Sequence, residues 1–218
     1  MSSTLLNGYT ALPASGTGDP VLVLHPWWGL NDTIKAFCNR LAEAGFIAFA
    51  PDLHHGQIAT TIPDAEALAG VIFNNLDSAR AEVGAALAFL AEHADPDGRG
   101  LAVVGFSLGA FFALDAAIRL PESIRSVVAF YGTRPSEAAD FVNSKASFLG
   151  HYAETDDFEP AEEVAKLEAA LKQAGRPVTF HHYPGTGHWF FEPDVVQAYE
   201  PAAAALAWER TLAFLKRS

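Results

Sequence analysis

From Pro20 onward the chain alternates short apolar runs with longer helical stretches, and this alternation restricts its possible folds more than any other feature. Residues 20–25, 46–50, 100–105, 124–131, 146–151 and 178–183 read as buried strands, most of them bounded by Gly or Pro. Between them the pattern is helical. Asp32 or Thr33 can cap a helix that places Ile34, Phe37, Cys38 and Leu41 on one face, and Gly45 stops it. The Ala-rich stretch 64–93 fits one or two amphipathic helices, and 108–120, 160–174 and 201–216 complete the set. Residues 52–63 read as a polar loop, 95–100 as a turn and 4–12 as an antiparallel edge hairpin or strand. Parallel neighbours need crossover connections, so strands that alternate with helices imply an α/β fold: a mostly parallel central sheet covered on both faces. With 218 residues, half of them apolar, the chain suits one domain over 1–218, and no linker or insertion leaves room for a large lid.

Composition excludes several functions. The formal charge of −12, with 14 Lys and Arg that form no basic block, argues against nucleic acid as a partner. No apolar run is long enough to span a bilayer, and residues 1–10 lack the basic and apolar segments of a secretory signal, which predicts a cytoplasmic protein. Cys38 is the only cysteine, so neither an internal disulfide framework nor a Cys-based zinc cluster is available. At helical spacing with Phe37 and Leu41, it reads as a small buried hydrophobe. His54 and His55 lack carboxylate or cysteine support and read as loop residues, so no metal is expected.

Gly105-Phe106-Ser107-Leu108-Gly109 matches the Gly-x-Ser-x-Gly elbow, in which a serine sits on a strained turn between a strand and a helix. The apolar run before it and the helix after it supply that context. A helix N-cap would explain Ser107 but not both glycines. A serine hydroxyl needs a base within hydrogen-bond reach and an acid to orient the base, and in this fold the order along the chain is Ser, Asp or Glu, then His. His188, in the Gly-rich segment Gly185-Thr186-Gly187-His188-Trp189 after the last strand, has the placement of that base. His181 and His182 lie in a strand and face opposite ways, so at most one of them can approach the site. Glu154, Asp156 and Asp157, just after the fifth strand, compete for the acid.

The order and spacing of His25-Pro26-Trp27-Trp28-Gly29, the serine elbow, Asp156-Asp157-Phe158-Glu159-Pro160 and Gly187-His188 resemble the dienelactone hydrolase family over nearly the whole chain. The resemblance implies an α/β-hydrolase fold without a large lid, ester or lactone cleavage, and Asp156 as the acid, four residues before Pro160. It also implies an oxyanion hole made by the backbone N–H groups of Trp27 and Leu108. This chain departs from the family at three places. Ser107 stands where the named enzymes have cysteine, Pro26 where they have a glutamate that interacts with the thiol, and Glu192 where they have an arginine for the substrate carboxylate. The first two changes together point to a serine esterase, and a carboxylate at 192 would repel an anionic substrate. Trp27, Trp28, Phe106, Trp189, Phe190 and Phe191 form an aromatic candidate wall suited to neutral acyl or aryl esters, with core packing as the alternative for Phe106 and Phe190.

The expected substrate-binding set is therefore Trp28, Phe106, Trp189 and Glu192 beside the triad Ser107, Asp156 and His188. No cofactor is required. The partner is a small-molecule ester or lactone, and the chain is expected to be a monomer or a small homo-oligomer. Activity should rise as His188 loses its proton, near pH 6 to 7 by the usual histidine range, roughly. Two alternatives stay open: a peptidase or amidase on the same triad, and a non-catalytic ligand-binding module of the same fold.

Overall fold

The computed structural model describes residues 7–94 and 100–217, and its elements follow the alternation. Seven strands form one sheet: β1 (Gly8–Ala11), β2 (Pro20–Leu24), β3 (Ile47–Pro51), β4 (Leu101–Phe106), β5 (Ile124–Phe130), β6 (Ser147–Ala153) and β7 (Val178–Tyr183). Their order across it is β1-β3-β2-β4-β5-β6-β7. β1 runs antiparallel to β3 at one edge, and every other pairing is parallel. Among the described residues the helices are α1 (Asp32–Glu43), α2 (Ile62–Asn74), α3 (Leu76–Ala94), α4 (Leu108–Arg119), the one-turn α5 (Ala138–Phe141), α6 (Ala161–Gln173) and α7 (Pro201–Leu215).

The pleat divides the core in two. Val21 and Val23 of β2 face a cluster built with Ile34, Phe37 and Leu41 of α1 and Ala204, Ala207 and Leu215 of α7. Leu22 and Leu24 face the other side, where α3 contributes Val83, Leu87 and Leu90, α4 contributes Phe112, and α6 contributes Leu167 and Leu171. Alternate residues of one strand thus feed two layers, which is why the strands read as unbroken apolar runs. Cys38 is fully buried in the first cluster, and burial pushes its thiol up to about 12.

The structure amends the sequence reading in detail. Helix α1 is capped by Asn31, not by Asp32 or Thr33: the Asn31 Oδ1 accepts the Ile34 N–H at 3.1 Å. The other amide atom of Asn31, Nδ2, and the hydroxyl of Thr33 each donate to Asp194 at 2.7 Å and tie α1 to the segment that follows β7. The Ala-rich stretch is two helices, and the first starts at Ile62, capped by Thr61. α5 is too short to leave a periodic signal. The expected turn at 95–100 falls outside the described residues except for Gly100, as do residues 4–6 of the expected edge strand. No helix among the described residues is long and apolar enough to cross a membrane.

The parallel register aligns the strand ends. Leu24 pairs with Gly105, Phe106 with Phe130, Phe130 with His151 and Ala153 with Tyr183, so the segments after β2, β4, β5, β6 and β7 emerge along one edge. Ligand sites of parallel sheets lie outside that carboxyl edge.

Candidate active site

The elbow at the end of β4 forces Ser107 to φ 50° and ψ −112°, a conformation that L-residues avoid. The backbone packs very closely there. A Cβ on Gly105 would collide with the Gly109 backbone, and one on Gly109 with the carbonyls of Leu24 and His25, so both glycines are sterically required. The turn is held by the Ser107 N–H, which donates to the Phe130 carbonyl at 2.9 Å. Although Ser107 precedes α4, its side chain makes no cap bond.

Instead the Ser107 hydroxyl donates to His188 Nε2 at 3.0 Å. With Nε2 accepting, the ring proton sits on Nδ1 and is donated to Asp156, at 2.7 Å from Oδ2 and 2.9 Å from Oδ1. Asp156 is itself fixed: its Oδ1 accepts the N–H groups of Phe158 at 2.9 Å and Glu159 at 2.8 Å. The imidazole and carboxylate side chains are only 5% and 7% exposed, so water competes little for these bonds. The other two carboxylates of the acidic run do different things. Glu154 accepts the Gly185 N–H at 2.9 Å and anchors the loop that carries His188, while Asp157 is exposed. Thr186 adds a second anchor by donating to the Tyr183 carbonyl at 2.7 Å. His181 stacks near His151 and His182 near Tyr152, not against the Ser107–His188 pair.

Trp27 lies in the turn after β2, where the Gly29 N–H donates to the Pro26 carbonyl at 3.1 Å. The N–H groups of Trp27 and Leu108 donate to no acceptor among the described residues. The rings of Trp27 and Trp189 stack at 5.9 Å, and Trp28 lies 5.3 Å from Trp189. The indole N–H groups of all three are buried without a partner among the described residues. Phe158 completes this wall: 44% exposed, it lies 5.2 Å from the His188 ring, 4.8 Å from Trp189 and 5.4 Å from Trp27. Its position two residues after Asp156 was the only signal in the sequence that could have assigned it to the wall.

Two residues of the expected substrate-binding set are elsewhere, and Phe191 of the expected wall packs in the core against Phe37 and Phe130. Phe106 is fully buried, stacked on Phe130 at 4.6 Å and packed edge-on against Phe37, because a strand residue next to the serine points to the opposite face. Glu192 is also fully buried, and Tyr131 donates to its Oε1 at 2.7 Å while its Oε2 has no partner among the described residues. Burial pushes the Glu192 carboxyl up to about 8, with Asp194 adding to the shift and the Tyr131 bond opposing it. The Tyr131 ring separates it from the site, 5.0 Å from the imidazole of His188. Phe190, for which core packing was the alternative, is fully buried against Tyr131 and Tyr183. Glu159, half-buried behind Asp156, accepts from the N–H and hydroxyl of Thr133, and burial raises its carboxyl above the ordinary value.

A seven-stranded, mostly parallel sheet with a serine elbow and a histidine at its carboxyl edge defines a hydrolase of the α/β-hydrolase class. Comparison with known proteins narrows the class: residues 6–218 match the model of the dienelactone hydrolase family, and the chain belongs to that family. It is thereby a carboxylic ester hydrolase. It is 34% identical over 215 residues to the protein usf of Aquifex pyrophilus, covering 97% of this chain and 93% of that one. It is 31% identical, with the same coverage, to a protein of Aquifex aeolicus provisionally named a carboxymethylenebutenolidase. The crystal structure of a dienelactone hydrolase-like promiscuous phosphotriesterase from metagenomic libraries superposes with a TM-score of 0.86 at 23% identity, over 96% of this chain and 91% of that one, a likeness of fold.

Proposed function

We propose that the protein hydrolyses neutral, preferably aromatic, carboxylic esters or lactones through an acyl-enzyme formed on Ser107. The observation that carries this reading is His188, bonded to Ser107 through one ring nitrogen and to Asp156 through the other. In acylation the Ser107 oxygen bonds to the carbonyl carbon as His188 Nε2 takes its proton. Asp156 stabilises the imidazolium without accepting that proton. The carbonyl oxygen, now an anion, is held by the N–H groups of Trp27 and Leu108, which have no protein acceptor of their own among the described residues. His188 then protonates the alkoxide as the C–O bond breaks, and water repeats the sequence to release the acid. The exposed Phe158 and the indoles of Trp27 and Trp189 give the substrate an uncharged aromatic surface, with the buried Glu192 set apart from it.

Hydrolysis of a short-chain aryl ester by the native protein and by Ser107→Ala, with intact mass after a fluorophosphonate probe, tests the reading. Turnover and labelling should both vanish in the variant, a loss on the order of 10⁴-fold or more. A native protein that neither turns over nor takes the label overturns it. Equal turnover of the matching amide would assign a peptidase or amidase.

A further inference from the structure

The turn after β2 is braced by two histidines outside the triad. Its peptides are trans, and in a trans peptide the C=O and the following N–H point to opposite sides of the bond. Holding a carbonyl therefore aims the next residue's N–H. The Pro26 carbonyl accepts from His25 Nδ1 at 2.7 Å, and the Trp27 carbonyl accepts from His54 Nε2 at 3.0 Å. The Trp28 carbonyl accepts the Ala59 N–H at 3.0 Å. Trp27 is thus gripped on both sides: His25 fixes the peptide that carries its N–H, and His54 fixes the one that carries its C=O.

The tautomers follow from the partners, because a carbonyl can only accept. His25 carries its proton on Nδ1, and its Nε2 accepts the Leu53 N–H at 3.1 Å. His54 carries its proton on Nε2. The ring centroids are 4.9 Å apart. Burial pushes both imidazoles below the ordinary histidine value, His25 to about 4, which keeps them neutral as this bonding requires. Asp52 locks the supporting loop by accepting the N–H groups of His54 and Gly56. The turn fits against that loop without slack: a Cβ on Gly29 would come within 2.6 Å of the Gln57 carbonyl and 3.3 Å of the His54 ring.

We propose that His54, acting with His25, is a positioning residue for the oxyanion hole, holding the turn at residues 26–28 so that the Trp27 N–H stays aimed at the developing oxyanion. The inference rests on the hydrolase reading above. A hole is effective only if its donors are already oriented when charge develops, and small displacements are costly. His54 acts through Trp27 and touches no reacting atom.

The test compares His54→Phe, which keeps a ring and loses the donor, with His54→Gln, whose amide nitrogen stands near the place of Nε2. His54→Phe should lower kcat about tenfold or more with KM within about twofold, and His54→Gln should recover most of the loss. A folded His54→Phe with native kcat overturns the inference, as does a loss that His54→Gln does not relieve. If His54→Phe does not fold, ring ¹⁵N spectra of the native protein decide: a proton on His54 Nε2 supports the brace, and one on Nδ1 overturns it. A native protein without ester turnover removes the hydrolase reading itself and the inference with it, an outcome visible before any His54 variant is made.

Discussion

Two buried carboxylates, Asp115 in α4 and Glu192 behind the candidate site, are 2% and 0% exposed and have opposite surroundings. Asp115 lies toward the far end of α4 beside a groove of about 600 Å³ between α3 and α4. Arg80 grips it with two bonds of 2.9 and 3.0 Å, Arg134 donates at 3.0 Å, and Arg119 lies at 3.8 Å. Among the described residues Glu192 has one neutral donor, the Tyr131 hydroxyl, an orphaned Oε2 and Asp194 close enough to repel it. Burial alone does not fix what a carboxylate does. Cations make the first a structural anchor, while burial, with no cation bonded to it among the described residues, keeps the second protonated up to about pH 8.

The largest effect should come from Glu192. Its folded value, about 8, lies above the ordinary 4.5, so between those values the native state binds a proton that the unfolded chain has released. Stability therefore falls as pH rises through this window, by about 1.4 kcal/mol per unit and on the order of 5 kcal/mol in all. His25, held down at about 4, contributes the opposite slope between that value and 6.5, because there the unfolded chain is the one that binds the extra proton. His54, His151 and His181, which burial also holds below the ordinary value, add to the His25 trend below pH 6.5, so the Glu192 decline stands clear only between 6.5 and 8. Urea unfolding at pH 6.5 and 8 should show this decline in the native protein and lose most of it in Glu192→Gln. Parallel curves for the two proteins would mean that Glu192 is ionised in the fold.

Asp115→Asn should come next, at about 3 kcal/mol, because it strands guanidinium groups that Asp115 now compensates. The loss should be almost independent of pH between 6 and 9, and kcat of the folded variant should match the native protein. A variant as stable as the native protein would reduce the cluster to a solvated surface network worth little.

The same contrast explains how much was legible in the sequence. A mostly parallel sheet follows from crossover connections between unbroken apolar runs, so the fold class could be read before any contact was known, whereas the strand order could not. Ser107 and His188 could be nominated because each sits in a short local pattern at a strand end, whereas Asp156 was set apart from Glu154 and Asp157 only by the family resemblance. Phe106 and Glu192 were misplaced because sequence proximity to a candidate catalytic position does not say which way a side chain points. Phe106 leaves β4 on the face opposite the cleft, and Glu192 is taken up by Tyr131 from the end of β5. The bond from His54 to the Trp27 carbonyl joins residues 27 apart through two strand ends, and no local pattern encodes it. The expectation of Asp32 or Thr33 as the cap of α1 failed for a smaller reason: Asn31, Asp32 and Thr33 are all capping types, and what separates them is the bond from the Ile34 N–H to Asn31 Oδ1.

Tyr131→Phe should give the smallest effect and isolates the one bond that distinguishes Glu192 from a wholly unpartnered acid. The ring that packs 5.0 Å from His188 remains, so the imidazole keeps its neighbour and kcat should stay within about twofold of native. The lost hydroxyl leaves Oε1 without its donor, at a cost of about 1 kcal/mol near pH 6. That hydroxyl also favours the ionised carboxylate, so its removal should raise the Glu192 midpoint and carry the pH-dependent loss of stability further into the alkaline range. A midpoint that moved down instead would mean that Tyr131 accepts from a protonated Glu192 and stabilises the neutral acid, and the orphaned oxygen would then be Glu192's acceptor, not its proton carrier.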